Sequence, residues 1–334
     1  MRDCTRAADR ISVFSHAVLT SKPLCELYHP FTMIHLDEGP IRELLHYEEL
    51  IPAMEQVLIR FSSGKIQQPV RSLLMVPEHH GIFGMMPAVD GDVIGIKLVL
   101  VYEKNAALGL PTHQAMIQLF SAKTGEPLAS MDGRLITEMR TAAVSAVATK
   151  LLSKPDARVL VVLGTGVQAR AHVRALRLVR QFDEIRVWGR TPDHAQKLAD
   201  ALDVQAVSDL EEAVRGADVV VSVAHVNDPL VRGEWLGPDT YVNAVATVGS
   251  ERRELDDAVM EDAAVVVESR EAAMRESGDI LKSGAKIYAE LGELLAGSVP
   301  LPAGRRVYKA LGIGAEDVAA ARLVFDKAAQ NHHA

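Results

Sequence analysis

One segment, Arg158–Ala169 (RVLVVLGTGVQA), constrains the fold more than any other part of the chain. Its apolar, β-branched run predicts a buried strand, and a GxGxxA string follows directly and opens a helix. Gly164 permits a tight turn, Gly166 lets the backbone approach an anion, and Ala169 lets the helix pack closely on the strand. The free N–H groups at the start of the helix can then bind a phosphate. The segment therefore predicts the pyrophosphate site of a nicotinamide dinucleotide.

Strands and helices alternate on both sides of this segment, as in a doubly wound parallel sheet. Thr137–Leu152 predicts an Ala-rich helix, and strand-like runs follow at EIRVW, VQAV, DVVVSVA, TYVNAV and AVVVES. Ser208–Glu211 has the pattern of a capping box, and Asp256 is expected to cap the helix that begins there. The last stretch, from about Val307, predicts a short strand and a helix that ends near Ala329.

The first half of the chain has a different pattern. Apolar residues recur at three- and four-residue spacing from Leu50 to Phe61, which predicts an amphipathic helix ending at Gly64. Between Pro69 and Ser130, the runs VRSLLMV, IFGMMPAV, VIGIKLVLVY and AMIQLF are separated by turns rich in Gly, Pro and Asp. This pattern predicts a largely antiparallel or mixed sheet. A chain of 334 residues is long enough for two such units.

Composition excludes several other classes. The net charge is −8 without a long basic run, which argues against nucleic-acid binding, and no apolar stretch approaches the roughly 18 residues that span a bilayer. Cys4 and Cys25 form no CxxC pair, so we expect neither a zinc site nor a disulfide framework. The scarcity of cysteine favours a reducing, cytoplasmic location. Residues 1–32 make a poor signal peptide, so we expect a disordered leader or translation from an upstream start.

The end of the second predicted strand bears on the choice of cofactor. An NAD site usually places Asp or Glu there to bind the ribose hydroxyls. Here the strand ends Val187-Trp188-Gly189-Arg190-Thr191, with no acid. A guanidinium can bind a 2′-phosphate through two hydrogen bonds. The strand end therefore favours NADPH, with NADH as the alternative. The other interpretation of Arg190 is an ordinary surface arginine that faces solvent and binds no cofactor.

Several longer strings resemble the ornithine cyclodeaminase/μ-crystallin family. They are PTHQAMIQLF and MDGRLITEMRTAAVSA within 111–146, GTGVQA, WGRT, NAV at 243–245 and RELDD at 253–257. ESGDILKSGA (276–285) and AELGELLAG (289–297) are most similar to the μ-crystallin, or ketimine reductase, branch. The resemblance implies an α/β fold, with a Rossmann doubly wound parallel sheet plus a smaller α/β substrate-binding and dimerisation domain. It implies a leader at 1–32, the smaller domain at 33–136 and 307–330, and an NADP-binding domain at 137–306.

The resemblance also implies the residues of the site. Arg71 and Arg140 match positions that bind a substrate carboxylate, and Lys97 matches one that binds substrate and orients or polarises the reacting end, the catalytic role. Without the resemblance each would be read as a solvated or salt-bridged residue. Arg140 is expected in the first turn of its helix, where a cation needs an anion to offset the helix dipole. The full set expected at the cofactor is Arg140, Thr141, Gly164, Gly166, Val167, Gln168, Ala169, Arg190, Thr191, Val223, Ala224 and Val245.

Two departures from the family pattern narrow the chemistry. Ornithine cyclodeaminases carry a glutamate where this chain has Gly84 and an aspartate where it has Val248. Oxidising an amino acid and cyclising the product needs acid–base groups, whereas reducing a formed imine needs one hydride and one proton. The sequence therefore predicts NADPH-dependent reduction of small cyclic imino acids by a homodimeric oxidoreductase. The alternatives are an NAD-dependent cyclodeaminase or amino-acid dehydrogenase, and a non-catalytic protein that binds NADPH and a thyroid-hormone-like ligand.

Two histidine motifs carry less information. His79-His80 lies in a predicted turn without a third ligand at useful spacing, so a loop is favoured over a metal site. His113 precedes a strand and either lines the pocket or has a structural role. Lys309–Gly312 falls where the family's C-terminal segment approaches the nicotinamide.

Overall fold

The computed structural model describes residues 33–333, so the predicted leader and both cysteines lie outside the described residues. The strands are β1 (Ile34–Leu36), β2 (Ile66–Gln67), β3 (Ser72–Val76), β4 (Gly81–Asp90), β5 (Val93–Tyr102), β6 (His113–Ser121), β7 (Pro127–Asp132), β8 (Val159–Leu163), β9 (Glu184–Trp188), β10 (Gln205–Ala206), β11 (Val219–Ser222), β12 (Tyr241–Ala244), β13 (Ala263–Val267), β14 (Ile287–Glu290) and β15 (Arg305–Lys309).

The helices lie between these strands and after the last one. They are α1 (Glu38–Leu44), α2 (Tyr47–Ser62), α3 (Gly133–Leu152), α4 (Val167–Leu176), α5 (Pro192–Leu202), α6 (Leu210–Val214), α7 (Asp257–Glu261), α8 (Arg270–Glu276), α9 (Gly278–Ser283), α10 (Leu291–Leu295) and α11 (Gly314–His333).

The strands of the first half form a seven-stranded sheet in the order β1-β7-β6-β5-β4-β2, with β3 paired to β4. Neighbours from β4 to β7 run antiparallel, while β1 is parallel to β7, so the predicted mixed sheet is confirmed. The C-terminal helix α11 covers one face: a Cβ added to Gly95 would lie 2.5 Å from Val318 Cγ2. Since paired residues share a face, Met86 and Lys97 also point towards α11.

The opposite face of this sheet is apolar and partly exposed. Phe83 pairs with Leu100 and Leu74, and Leu98 pairs with Met116, which places all five on the side away from α11. Leu74 and Met116 are 54% and 49% exposed. A row of large apolar side chains open to water marks a surface suited to contact with another protein.

The strands of the second half form an eight-stranded parallel sheet in the order β10-β9-β8-β11-β12-β15-β13-β14. The order reverses direction between β8 and β11, the position at which doubly wound sheets open a crevice for a ligand. The strands β11 and β12 have no exposed residue, as expected for strands covered on both faces. The predicted doubly wound fold is confirmed.

Three sequence-based details differ from the structure. Helix α3 begins at Gly133, capped by Asp132, so Arg140 lies about two turns inside the helix and not in its first turn. The helix predicted to start at Ser208 is capped by Asp209, whose side chain accepts from the Glu212 N–H. Asp256 does cap α7, as predicted.

The third difference concerns the expected domain boundary at Val307. Val307 lies inside β15, paired with Val242 on one side and Val265 on the other, so the larger sheet continues to Lys309. Only the helix after this strand packs on the smaller sheet. The sequence-based assignment of this strand to the smaller domain is wrong. A short apolar run does not indicate which other strands pair with it. No helix within residues 33–333 combines the length and apolar composition needed to cross a bilayer.

Candidate active site

The glycine loop has the geometry that a dinucleotide requires. Gly164 has φ of +136°, and a Cβ there would lie 3.0 Å from the carbonyl carbon and oxygen of Val223. Only glycine fits such a position. A Cβ on Gly166 would meet nothing within 4 Å, Val167 is 64% exposed, and no side chain caps α4. The N–H groups at the start of α4 are therefore open to a phosphate, while Ala169 is fully buried against the sheet.

The neighbouring residues complete an edge suited to the cofactor. Val223, Ala224 and Val245 follow the carboxyl ends of β11 and β12, next to the loop after β8. Gln168 has a buried side-chain oxygen without a hydrogen-bond partner among the described residues. These residues would suit a nicotinamide dinucleotide: the open N–H groups at the start of α4 would bind its phosphates, and the residues after β11 and β12 would line the rest of the site.

The end of β9 is exposed beside this loop. Thr165 packs over Gly189, where an added Cβ would lie 2.4 Å from Thr165 Cγ2. Arg190 and Thr191 are exposed, and within residues 33–333 Arg190 makes no side-chain hydrogen bond or ion pair. Its guanidinium is thus free to bind an anion. Thr141, also expected at the cofactor, donates its hydroxyl to the Thr137 carbonyl within α3.

The three predicted basic residues come together at the same edge of the sheet. Arg71 donates to the carbonyl oxygens of Leu311 and Gly312 at 2.8 and 2.7 Å, just after the end of β15. Gly312 has φ of +72°, and a Cβ there would lie 2.5 Å from Arg140 Nη1. Both guanidinium groups therefore lie against one glycine. Lys97 joins them through Asp317, which contacts both Lys97 Nζ (2.7 Å) and Arg140 Nε (2.9 Å). We call Arg71, Lys97 and Arg140 the basic cluster.

The position of the basic cluster follows from strand order. β15 is adjacent to β12, and β12 to β11, so the residues after β15 lie about three strand spacings, roughly 14 Å, from the loop after β8. A dinucleotide that starts at the glycine loop and runs along this edge therefore ends beside the basic cluster. The strand order brings together the two sets of residues that were predicted separately.

Four carboxyl groups surround the basic cluster, and sequence reasoning missed all of them: Glu268, Glu276, Glu316 and Asp317. Glu276 binds Arg71 Nε at 3.0 Å, and Glu316 binds Arg140 Nη1 at 2.5 Å. Glu268 accepts the backbone N–H groups of Leu311 and Gly312. The available signal was the acid pair in an apolar context, GIGAEDVAAA, because charged residues in such a context need buried partners.

Burial dominates the electrostatics of this region. It lowers the pKa of Lys97 to about 8, against the opposing effect of Asp317. It raises the pKa of Glu316 to about 8 and also raises that of Glu276, although Arg140 and Arg71 oppose these shifts. Burial alone would lower the pKa of Arg140, but Asp317 and Glu316 outweigh it and raise the pKa. Arg140 therefore stays charged, whereas the pKa values of Lys97 and Glu316 are both about 8.

The structure also describes Gly84 and Val248, the two positions where the family pattern has a carboxylate. Gly84 lies on the face of β4 that carries Met86, towards α11, and a Cβ there would lie 2.9 Å from Val99 Cγ1. Val248 is 36% exposed after β12. Neither position can supply a proton. His113 lies on the α11-facing side of the sheet, and burial followed by the charge of His225 lowers its pKa.

A second group of buried charges lies below the basic cluster. Lys309, the last residue of β15, contacts Glu254 Oε1 at 2.5 Å and Asp279 Oδ2 at 2.9 Å, and all three are fully buried. Lys309 also donates to the Thr247 carbonyl, and Glu254 accepts from the N–H groups of Ala246 and Thr247. We call Lys309, Glu254 and Asp279 the closed triad. It fixes the loop that follows β12. Within the described residues no group of His, Cys, Asp and Glu could bind a metal, including His79 and His80.

The model of the ornithine cyclodeaminase/mu-crystallin family matches residues 32–332. The chain belongs to this family. It is 45% identical over 285 residues to the ketimine reductase mu-crystallin of Mus musculus, covering 83% of this chain and 91% of that protein. The resemblance inferred from the sequence strings is thus confirmed.

Solved structures of similar proteins have the same fold. The Δ1-pyrroline-2-carboxylate reductase of Thermococcus litoralis, in complex with NADH and L-proline, superposes with a TM-score of 0.86 at 33% identity, over 90% of this chain and 98% of that one. An archaeal alanine dehydrogenase dimer with bound NAD gives a TM-score of 0.85 at 28% identity, over 90% of this chain and 97% of that one.

Proposed function

We propose that this protein is an NAD(P)H-dependent reductase of small cyclic ketimines that carry a carboxylate next to the C=N bond. The observation that carries the proposal is the meeting of Arg71 and Arg140 on Gly312, at the edge of the sheet that also carries the glycine loop. The pyrroline-2-carboxylate and ketimine reductases to which the chain is similar have substrates of this class by name. We infer from them that the product is a cyclic amino acid.

In the proposed mechanism, the arginines of the basic cluster bind the substrate carboxylate, and Lys97 orients the imine end. A bound nicotinamide cofactor would supply one hydride for the imine carbon; with the proton that a protonated imine already carries on nitrogen, C=N would become CH–NH. Holding the ring in one orientation next to the cofactor site provides much of the acceleration, because it removes the entropy cost of encounter. The proposed domain roles follow: the larger sheet binds the cofactor and the smaller sheet, with α11, binds the substrate.

Gly84 and Val248 argue against the cyclodeaminase alternative. Removing and returning protons during amino-acid oxidation needs a positioned base. The side chains at these two positions are a hydrogen atom and an isopropyl group, which have no such capacity. Reduction of a formed imine does not need them, because a protonated imine already carries the required proton.

For the cofactor we propose NADPH, because Arg190 is exposed at the end of β9 and has no side-chain partner among residues 33–333. A 2′-phosphate there would gain a charge-assisted contact that a free ribose hydroxyl does not. The NADH bound to the Thermococcus litoralis enzyme shows that the same fold in a relative accepts the other cofactor. The two cofactors must therefore be compared directly.

The test is NADPH oxidation with piperideine-2-carboxylate and pyrroline-2-carboxylate, followed by absorbance across pH 5 to 8. We expect turnover with both cofactors and a higher kcat/KM with NADPH. Ammonia release from ornithine with NAD would support the cyclodeaminase instead. No turnover of either imine at any of these pH values would refute the proposal.

We also propose that the protein is a homodimer that buries the outer face of the seven-stranded sheet. The support is the row of exposed apolar residues that includes Leu74 and Met116, together with the dimer formed by the archaeal relative. Sedimentation at micromolar concentration should give twice the monomer mass, and a monomer would overturn this part of the proposal. The cytoplasmic location stays a prediction from cysteine usage.

A further inference from the structure

The basic cluster is surrounded by more carboxyl groups than it can neutralise. Arg71, Lys97 and Arg140 supply three positive charges, whereas the four carboxyl groups around them would supply four negative ones if all were ionised. Lys97, Arg140, Glu268, Glu316 and Asp317 are all at least 95% buried. An uncompensated charge in such surroundings is strongly unfavourable, so one carboxyl group is expected to be neutral.

Contacts identify which group that is. The two oxygens of Asp317 face different cations, Arg140 and Lys97. Glu316 contacts Arg140 through Oε2 alone. The same oxygen also accepts a hydrogen bond from the Ile313 N–H at 3.4 Å. Its other oxygen, Oε1, is buried and has no hydrogen-bond partner among residues 33–333. A buried, charged carboxylate with one oxygen lacking a hydrogen bond is unfavourable, and protonation removes its charge.

We propose that this site binds a small organic carboxylate together with one proton, and that Glu316 is the residue that carries the proton. The inference deepens the proposed function, since the ligand is the carboxylate of the same substrate. A neutral Glu316 leaves the positive charge of Arg140 available to the ligand. An ionised Glu316 competes with the ligand for that charge, so affinity falls as the pH rises through the range in which Glu316 titrates.

The charged and titratable groups that act on Glu316 come from several elements. They are Arg140 from α3, Glu268 after β13, Tyr308 from β15 and Asp317 from α11 itself. Lys97 from β5 is next to this group through its contact with Asp317. Burial raises the pKa of Tyr308 well above its usual value, so the phenol stays neutral. Lys97 is the competing candidate, because its pKa of about 8 would let it take up a proton over the same range. The experiment must separate these two residues.

The experiment measures the proton uptake that accompanies binding of pyrrole-2-carboxylate. This planar analogue has no group that titrates between pH 6 and 9. Calorimetry on the NADP⁺-saturated protein, in two buffers of different ionisation enthalpy, gives the number of protons taken up. For the wild type we expect little uptake at pH 6, about half a proton at pH 8, and a Kd that weakens by up to about tenfold per pH unit above 8. In Glu316→Gln we expect no uptake at pH 8 and a Kd that changes less than about twofold from pH 7 to 9.

Glu211→Gln is the matched control. Glu211 makes the same kind of contact with an arginine, Arg215, at 2.6 Å, but lies on the surface of α6. This variant should show wild-type uptake. Uptake that persists in Glu316→Gln would assign the proton to another group of the site, Lys97 or Glu276, and overturn the inference. Absence of binding, or of uptake, in the wild type would overturn it as well.

A second measurement uses the wild type alone and so does not depend on the folding of a variant. The infrared band of a protonated carboxyl group should be present at pH 7 and absent at pH 9.5, and the ligand should restore it at the higher pH. A lysine gives no such band, so its absence at pH 7 would contradict the inference. Binding with proton uptake but without imine turnover would refute the proposed function only, and turnover without uptake would refute this inference only.

Discussion

Two groups of buried charges lie at the end of the same strand, β15, and differ in composition. The closed triad at Lys309 has one cation and two carboxyl groups, all fully buried and linked to backbone groups of one loop. The basic cluster has three cations, gathered from α3, β5 and the chain before β3, around residues just past the strand. The first arrangement serves to hold a loop, whereas three cations gathered from separate elements beside the glycine-loop edge of the sheet suit an anionic ligand. We therefore expect the closed triad to contribute to stability and the basic cluster to ligand binding, and each role can be tested.

The largest expected effect is on the closed triad. Lys309→Met leaves Glu254 and Asp279 buried without their cation, and breaking such a group costs about 3–5 kcal/mol in free energy of unfolding. Urea denaturation measures this loss. Lys282→Met, which removes an exposed pair with Glu251, should cost less than about 1 kcal/mol. Equal losses in the two variants would mean that the triad contributes nothing beyond a surface pair.

Arg71→Met should instead reduce catalysis. Loss of a hydrogen-bonded charge on the substrate carboxylate is expected to lower kcat/KM for the imine by about 100- to 1000-fold, or about 3–4 kcal/mol, with the Kd of NADPH unchanged. Arg186→Met is the matched control. Arg186 also binds a glutamate, Glu184, and two backbone carbonyl groups, but on the far side of the larger sheet. If both variants lost activity equally, Arg71 would have a structural role only.

The smallest expected effect is at Gly312, between the two groups of charges. Gly312→Ala places a Cβ against Arg140 at a position with φ of +72°, so Arg140 must shift. We expect about a tenfold loss in kcat/KM, since small misplacements of a positioning group have effects of this size or larger. Gly304→Ala has nearly the same φ, +74°, with nothing within 4 Å of the added Cβ. A loss in both variants would attribute the effect to backbone strain and not to Arg140.

The extent to which the sequence predicted these regions depends on how local each is. The glycine loop was predicted residue by residue because its strand, turn and helix are contiguous, so periodicity and glycine chemistry specify its geometry. The position of Arg140 was predicted less well. Its helix begins earlier than the apolar pattern indicated, because Asp132 caps it directly after β7.

The carboxyl groups around the basic cluster could not be predicted in the same way. Glu268, Glu276 and Glu316 belong to segments that meet only through the order of strands in the larger sheet. Strand order depends on long-range pairing, which leaves no periodic signal. The same reason explains why β15 was assigned to the smaller domain, although it lies between β12 and β13.

The position of β15 has a consequence for biosynthesis. The strand lies inside the larger sheet, and the chain continues from it into α11, which packs on the smaller sheet. During translation, β13 and β14 therefore have no link to the rest of their sheet until β15 has been made. The smaller sheet lacks its covering helix, and the basic cluster lacks Glu316 and Asp317, until α11 has been made. Nascent chains would expose two unfinished apolar surfaces, and premature termination before α11 would yield an inactive, aggregation-prone product.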